Sequence, residues 1–310
     1  MTRVAILCLL TAASMTPLPL DAQRLDSAVA WLKEHGVSVR RTFDGSKNES
    51  QPASLQMVES DKPQDDSYFL ADAAIKVGEL ELDPTPAMSL VFYPVLEWHR
   101  STQQDKAVDN TSLSVKGEFR PFPLRMQPVA GAPPPGVPPA NPGWAVAPTF
   151  MGEVGRYWDE EADSSVTKFA LNVFPTSNIE GLPGSDIRDG SGAFRARYYA
   201  PYVGVERWES PGLWEGQTAS FMTLRGYLEA VPLGTREREY LELISEYTHR
   251  WRVGGGDPVP NDLSLWVTSL TLYPNGTRQV GIGVDYSTGR DPSKGFSEVR
   301  RWTLGLKAKF

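Results

Sequence analysis

Along most of this chain apolar and polar side chains alternate one for one. The last segment is the clearest case. Trp302, Leu304, Leu306, Ala308 and Phe310 fall on one face, and Arg301, Thr303, Gly305, Lys307 and Lys309 on the other. A period of two is the signature of β-strands. It recurs in Val280, Ile282, Val284 and Tyr286 against Gln279, Gly281, Gly283 and Asp285. Met88, Leu90, Phe92, Leu96 and Trp98 likewise face away from Ser89, Tyr93, Glu97 and His99. Leu113, Val115 and Phe119 oppose Ser114, Lys116, Glu118 and Arg120. With turn residues between such runs, strands are predicted to start near residues 52, 67, 87, 110, 144, 164, 193, 215, 236, 261, 278 and 296. Several exceed ten residues. Soluble sheets average ~5–6 residues per strand, whereas a tilted strand needs ~9–11 to cross a bilayer.

One segment breaks the pattern. Leu25, Val29 and Leu32 share a helical face, so Arg24 to His35 is predicted as a short helix ended by Gly36. Two strands are ambiguous. Pro201 marks a candidate bulge in 193–209, and Leu263, Leu265, Trp266, Leu270 and Leu272 load both faces of 261–273.

Alternation alone fits a soluble sandwich or a membrane barrel. Aromatic placement favours the barrel: Tyr68, Trp98, Trp144, Tyr157, Trp158, Trp208, Trp214, Trp251, Tyr286, Trp302 and Phe310 lie near predicted strand ends, where membrane barrels carry aromatic girdles. The expected fold is all-β: a closed, transmembrane antiparallel β-barrel of about 12 strands, with a short N-terminal helix.

The N-terminus agrees with export. Arg3 precedes an apolar core, Val4 to Ala13, and Pro17, Pro19 and Leu20-Asp21-Ala22 follow. That is the pattern of a secretory signal peptide cut after Ala22. Three regions follow: a signal peptide at 1–22, a periplasmic N-terminal segment with the helix at 23–51, and the barrel at 52–310. The single cysteine, Cys8, lies inside the signal. The 310-residue chain has a formal net charge of -7, which argues against nucleic acid as a partner. A mean hydropathy of -0.33 is no objection to a barrel, which gives lipid only every second residue.

The ending Trp302-Thr303-Leu304-Gly305-Leu306-Lys307-Ala308-Lys309-Phe310 resembles the C-terminal strand of bacterial outer-membrane β-barrel proteins. The resemblance implies a Gram-negative-type outer membrane as location, with its lipid and lipopolysaccharide as surroundings. It also implies recognition of Trp302, Leu304, Leu306 and Phe310 by the barrel-assembly machinery. A periplasmic C-terminus makes alternate connections periplasmic. Pro274-Asn275-Gly276-Thr277 and Pro232-Leu233-Gly234-Thr235 are then short turns, as expected. The acidic connections 60–66 and 159–164 fall outside. Two periplasmic connections are anomalously long: the Pro-rich 121–143 and the Gly-rich 176–192.

Candidate chemistry is sparse. The histidines are His35, His99 and His249. His99, beside Glu97, is the one placed to serve a hydrolase. His249, between Tyr247 and Trp251, suits a girdle. No nucleophile motif, metal-ligand cluster or phosphate loop is present, so no catalytic residue, metal or cofactor is expected. The inward face carries charge instead. The lumen-lining candidates are Lys116, Glu118, Arg120, Lys168, Arg195, Arg197, Arg225, Glu242, Glu246 and Arg250. Basic residues lead on this face, which favours anions. The expected function is a narrow channel for passive diffusion of small polar, anionic solutes. The alternatives are a structural or binding barrel that contacts a periplasmic or surface partner, and an outer-membrane hydrolase. Oligomeric state is left open.

Overall fold

The computed structural model describes residues 31–32, 34, 36–43, 45–46, 49, 51–58, 68–85, 88–102, 108–124, 143–159, 164–189, 193–209, 217–235, 237–256, 259–291 and 296–309. Residues 1–22, predicted as a signal peptide, Phe310 and all of the predicted helix except Trp31, Leu32 and Glu34, which are helical, lie outside these residues.

Fifteen strands are described. They are β1 (Val37–Arg40), β2 (Ala53–Val58), β3 (Tyr68–Val77), β4 (Leu80–Thr85), β5 (Met88–Ser101), β6 (Val108–Arg120), β7 (Ala147–Asp159) and β8 (Ser164–Thr176). Then follow β9 (Asp186–Arg188), β10 (Arg195–Glu209), β11 (Thr218–Gly234), β12 (Glu239–Gly254), β13 (Asp262–Leu272), β14 (Val280–Asp291) and β15 (Ser297–Ala308). Twelve of them close a ring: β2, β3, β5, β6, β7, β8, β10, β11, β12, β13, β14 and β15, every neighbour antiparallel. The closing seam runs from Leu304↔Met57 to Ala308↔Ala53. Each of the twelve begins within three residues of the position that alternation predicts. Closure pairs every wall strand on both edges, which a sheet in lipid requires because no water is there to satisfy a free edge.

The distribution of side chains is inside out. Leu171, Leu304 and Leu306 are 50–58% exposed, whereas Lys116, Glu242 and Lys307 are 0–1% exposed. A sandwich would show the opposite. So large an apolar outer surface exceeds what a water-soluble monomer tolerates, and hydrocarbon is the solvent that suits it. Tyr247, Trp266, Tyr286 and Trp302 form an outward aromatic row across β12 to β15, with Tyr286 and Trp302 ring centroids 4.7 Å apart. Tyr68, Tyr157 and Trp208, which strand-end position assigns to the girdle, instead point inward. Two of them find polar partners there, Trp208 donating to Glu206 and Tyr157 to Glu153 inside the lumen, and Tyr68 packs with Val58 and Leu70.

The rim that carries the chain ends is called lower here. Its connections are the β11–β12 and β13–β14 hairpins, the β3–β5 connection that carries β4, and the two anomalous segments. Asn275-Gly276 makes the tight β13–β14 turn, with Gly276 at φ 68° and its N–H bonded to Tyr273 C=O at 3.0 Å. The Gly-rich connection is partly strand: β9 pairs with the start of β10, and Ser185 Oγ ties its turns to Ile179 and Leu182 carbonyls. The described ends of the Pro-rich connection meet as a neck, where Phe122 stacks on Trp144 at 4.7 Å and Leu124 bridges to Trp144. Residues 125–142 lie outside the described residues.

Alternation starts the barrel at residue 52, yet the sheet already includes β1. Ala74 pairs with Arg40 on one side and Glu97 on the other, so β1 shares the lane of β2 beside β3. Between β1 and β2 the chain leaves the wall and turns into the lumen. Period-two reading misses β1 because only four residues pair.

Candidate functional site

The interior of the barrel is the candidate site. Its lower part is filled by the excursion between β1 and β2. Arg41 N–H donates to Gln51 C=O at 2.6 Å and closes the neck of this loop. Phe43, 2% exposed, packs on Ala74, Val91, Tyr93 and Val95 of the wall. At the loop's far side Glu49 is buried. Arg225 Nη1 and Nη2 donate to its two carboxylate oxygens at 3.0 and 2.5 Å. Ser46 N–H and the Tyr202 hydroxyl donate to Oε1 as well. Arg225 also donates from Nε to Glu246 at 2.8 Å.

Above the loop lies a polar chamber of about 100 Å³, lined among others by Arg41, His99, Lys168, Arg225, Arg250 and Arg301. Cross-strand ion pairs line it and continue beyond it along the inward face. Lys168 meets Glu153 at 2.8 Å, Lys116 lies 3.5 Å from Glu97 and 3.6 Å from Glu153, and Arg250 meets Glu206 at 2.9 Å. Lys307 pairs with Asp285. A buried charge is costly unless a partner and hydrogen bonds compensate for lost water, and the alternation that keeps these residues out of lipid also brings their partners within reach.

The upper mouth carries an apolar cluster. Val259 and Phe296, from the β12–β13 and β14–β15 connections, pack with Trp208, Ala219, Phe221 and Leu263 of the wall. The Trp208 and Phe296 ring centroids are 5.0 Å apart in an edge-on contact.

The lower rim holds a second charge cluster. Arg195 reaches Glu229 at 2.6 Å and Glu239 at 2.9 Å. Arg278 contacts Glu229, Glu239 and Glu242. Arg197 meets Asp186 of β9 at 2.7 Å. Burial by itself would raise the Asp186 carboxyl, but its hydrogen bond from Arg188 and the charges of Arg197 and Arg195 outweigh this and hold it below the ordinary range.

Lys116, Glu118, Arg120, Lys168, Arg195, Arg197, Arg225, Glu242, Glu246 and Arg250 all lie on the inward side, and ion pairs link Lys116 to Lys168 through Glu153. Glu118 accepts from Tyr93, and Arg120 sits half-buried at the lower end of β6. Trp302, Leu304 and Leu306 face outward and are exposed.

Sequence reasoning missed Glu49, Glu206, Glu229 and Arg278. Glu229 was legible, since it stands four residues from Arg225 on the same face. Glu206 was not. The register shifts between Tyr199 and Tyr202, so odd positions face inward before Pro201 and even positions after it. Three of the four are acidic, so the basic excess expected of the lumen is smaller than alternation suggests.

His99 is buried on the chamber wall, with Nδ1 3.0 Å from Asp72 and Nε2 3.6 Å from Glu97. A histidine that activates a nucleophile needs one ring nitrogen turned to it; here both face carboxylates. His249 stacks outward between Tyr247 and Trp251, as a girdle residue would.

No family model and no curated protein matches the chain. Among solved structures it is similar to the translocator domain of autotransporter NalP from Neisseria meningitidis, at 12% identity over 93% of this chain and 97% of that one, with a TM-score of 0.34. It is also similar to a structure described under "Unveiling the Mechanism Behind the in-meso Crystallization of Membrane Proteins", at 9% identity over 84% and 83% of the two chains and a TM-score of 0.34. Likeness at this level carries no weight for function. The fold rests on the closed 12-strand ring and its inside-out surface, which make this an outer-membrane-type β-barrel.

Proposed function

We propose that the chain is exported by its first 22 residues, is assembled into a bacterial outer membrane through its terminal strand, and works there as a narrow conduit for small polar solutes. It is not an enzyme in this reading. The observation that carries the proposal is the chamber inside a closed barrel, lined mostly by charged and polar side chains and with about 100 Å³ of free space. In this reading the resting state is shut, with Phe43, Ser46 and Glu49 held inside the lower lumen and the Trp208–Phe296 contact set at the upper mouth. Passage requires the loop to withdraw. The arginine side chains that line the chamber favour anions, although the abundant ion pairs temper that preference.

Planar bilayers test this. The intact protein is expected to give rare, small openings, and a variant lacking residues 42–50 frequent, larger ones. Silence from both folded proteins would overturn the conduit. It would favour the second reading, a sealed binding barrel, which the loop-and-cluster closure of both ends supports in its own right.

A further inference from the structure

We propose that Arg225 and Tyr202 form a binding site for a small carboxylate solute, which the chain's own Glu49 occupies at rest. The donor set is that of a carboxylate receptor. A guanidinium gives one N–H to each oxygen, at 3.0 and 2.5 Å, and the Tyr202 hydroxyl adds a third donor. The guanidinium is held in place. It lies 4.8 Å from the Tyr202 ring centroid and 5.9 Å from that of Tyr227, and Nε is committed to Glu246. Stacking and a bidentate fork are what make arginine suited to planar anions.

The two sides of this site come from different parts of the chain. Arg225 and Tyr202 belong to wall strands β11 and β10. Glu49 and Ser46 belong to the loop, and Ser46 N–H leaves with it. If the loop simply withdrew, Arg225 would keep two buried, unpaired N–H groups, a heavy penalty in so enclosed a place. Exchange avoids it, because an incoming carboxylate takes over the bonds that Glu49 gives up. The approach is from the chamber, which Arg225 lines together with Arg41, Thr42 and Gln51 at the ends of the loop. The free volume suits an acid of a few carbons better than a sugar or peptide. Gly45 shows how tightly the loop's own carboxylate is seated: a Cβ there would lie 2.1 Å from Glu49 Oε2.

As the recognition point of the proposed conduit, the site rests on that reading for its use, though binding can be measured without it. The experiment is calorimetry of the full chain, folded in detergent micelles, with sodium propionate as probe and sodium chloride as control. Glu49→Gln removes the competing charge and is expected to raise propionate affinity at least tenfold over the unsubstituted protein. Gly45→Ala, which unseats Glu49 without touching the wall, is expected to raise it in the same direction. Arg225→Gln added to Glu49→Gln should abolish binding. Propionate should also speed hydrogen exchange in the loop. Equal affinity in Glu49→Gln and the unsubstituted protein, binding no tighter than chloride, or binding that survives Arg225→Gln would each overturn the site. Silent bilayers with propionate binding intact would sink the conduit and leave the site standing; conductance with unaltered binding would do the reverse.

Discussion

Arg225 grips both carboxylate oxygens of Glu49 although 176 residues separate the two in the chain. The pair fastens the loop inside the barrel to strand β11. Arg225 also serves the half-buried Glu246, so Arg225→Ala takes the ion-pair partner from two carboxylates at once. Removing one partner of a buried pair costs ~3–5 kcal/mol. Glu49→Gln keeps one acceptor oxygen for Nη1, Tyr202 and Ser46 but sets its amide NH2 group against Nη2, and should cost less, ~1–3 kcal/mol. Urea unfolding in micelles, followed by tryptophan fluorescence, measures both. Equal losses would mean that the pair does not anchor the loop.

Asp186 predicts a pH dependence at the lower rim. Its folded-state pKa lies below the unfolded value, so its contribution is present above the unfolded pKa and is lost as pH falls through the folded one. The window is therefore below about pH 4. The contribution is modest, ~1 kcal/mol, because the group is partly exposed. Asp186→Asn should lose it already at neutral pH, and the two proteins should converge in acid. Parallel stability curves from pH 7 to pH 3 would contradict the assignment.

Lipid-facing and lumen-facing positions should respond oppositely to charge. Leu304 is 58% exposed on the outer surface. Leu304→Arg should cost ~2–4 kcal/mol near the midplane, with loss of the compact band that unboiled folded barrels show on gels. Leu304→Phe should be tolerated. An unchanged gel pattern in Leu304→Arg would argue that this face does not meet hydrocarbon.

The upper cluster offers a separate handle. Trp208→Ala removes an edge-on contact with Phe296 and the N–H bond to Glu206. A buried aromatic truncated to alanine costs ~3–5 kcal/mol. The same change should open the upper mouth and raise open probability in bilayers. Stability lost without altered conductance would limit the cluster to packing.

At the Asn275-Gly276 turn a Cβ on residue 276 would lie 2.8 Å from Arg238 Cβ, and the backbone is left-handed there. Gly276→Ala should therefore cost ~1–2 kcal/mol in the same urea measurement, and no loss would show that the turn relaxes freely.

Much of this protein was determined locally. A strand sends successive side chains to opposite faces, so alternation located all twelve wall strands and identified the charged face, from Lys116 in β6 to Arg250 in β12. Turn chemistry does the same for Asn275-Gly276. Tertiary structure decided the rest. Strand β1 and the loop after it have no period of their own, since their places depend on a wall lane left open by the short β2 and on partners such as Tyr93 and Arg225 far along the chain. The bulge near Pro201 reverses which residues face inward, so Glu206 joined the lumen against its apparent parity. Charge pairing was decided last of all, because it depends on which strands face one another across the barrel, and only closure of the ring brings Glu49 to Arg225.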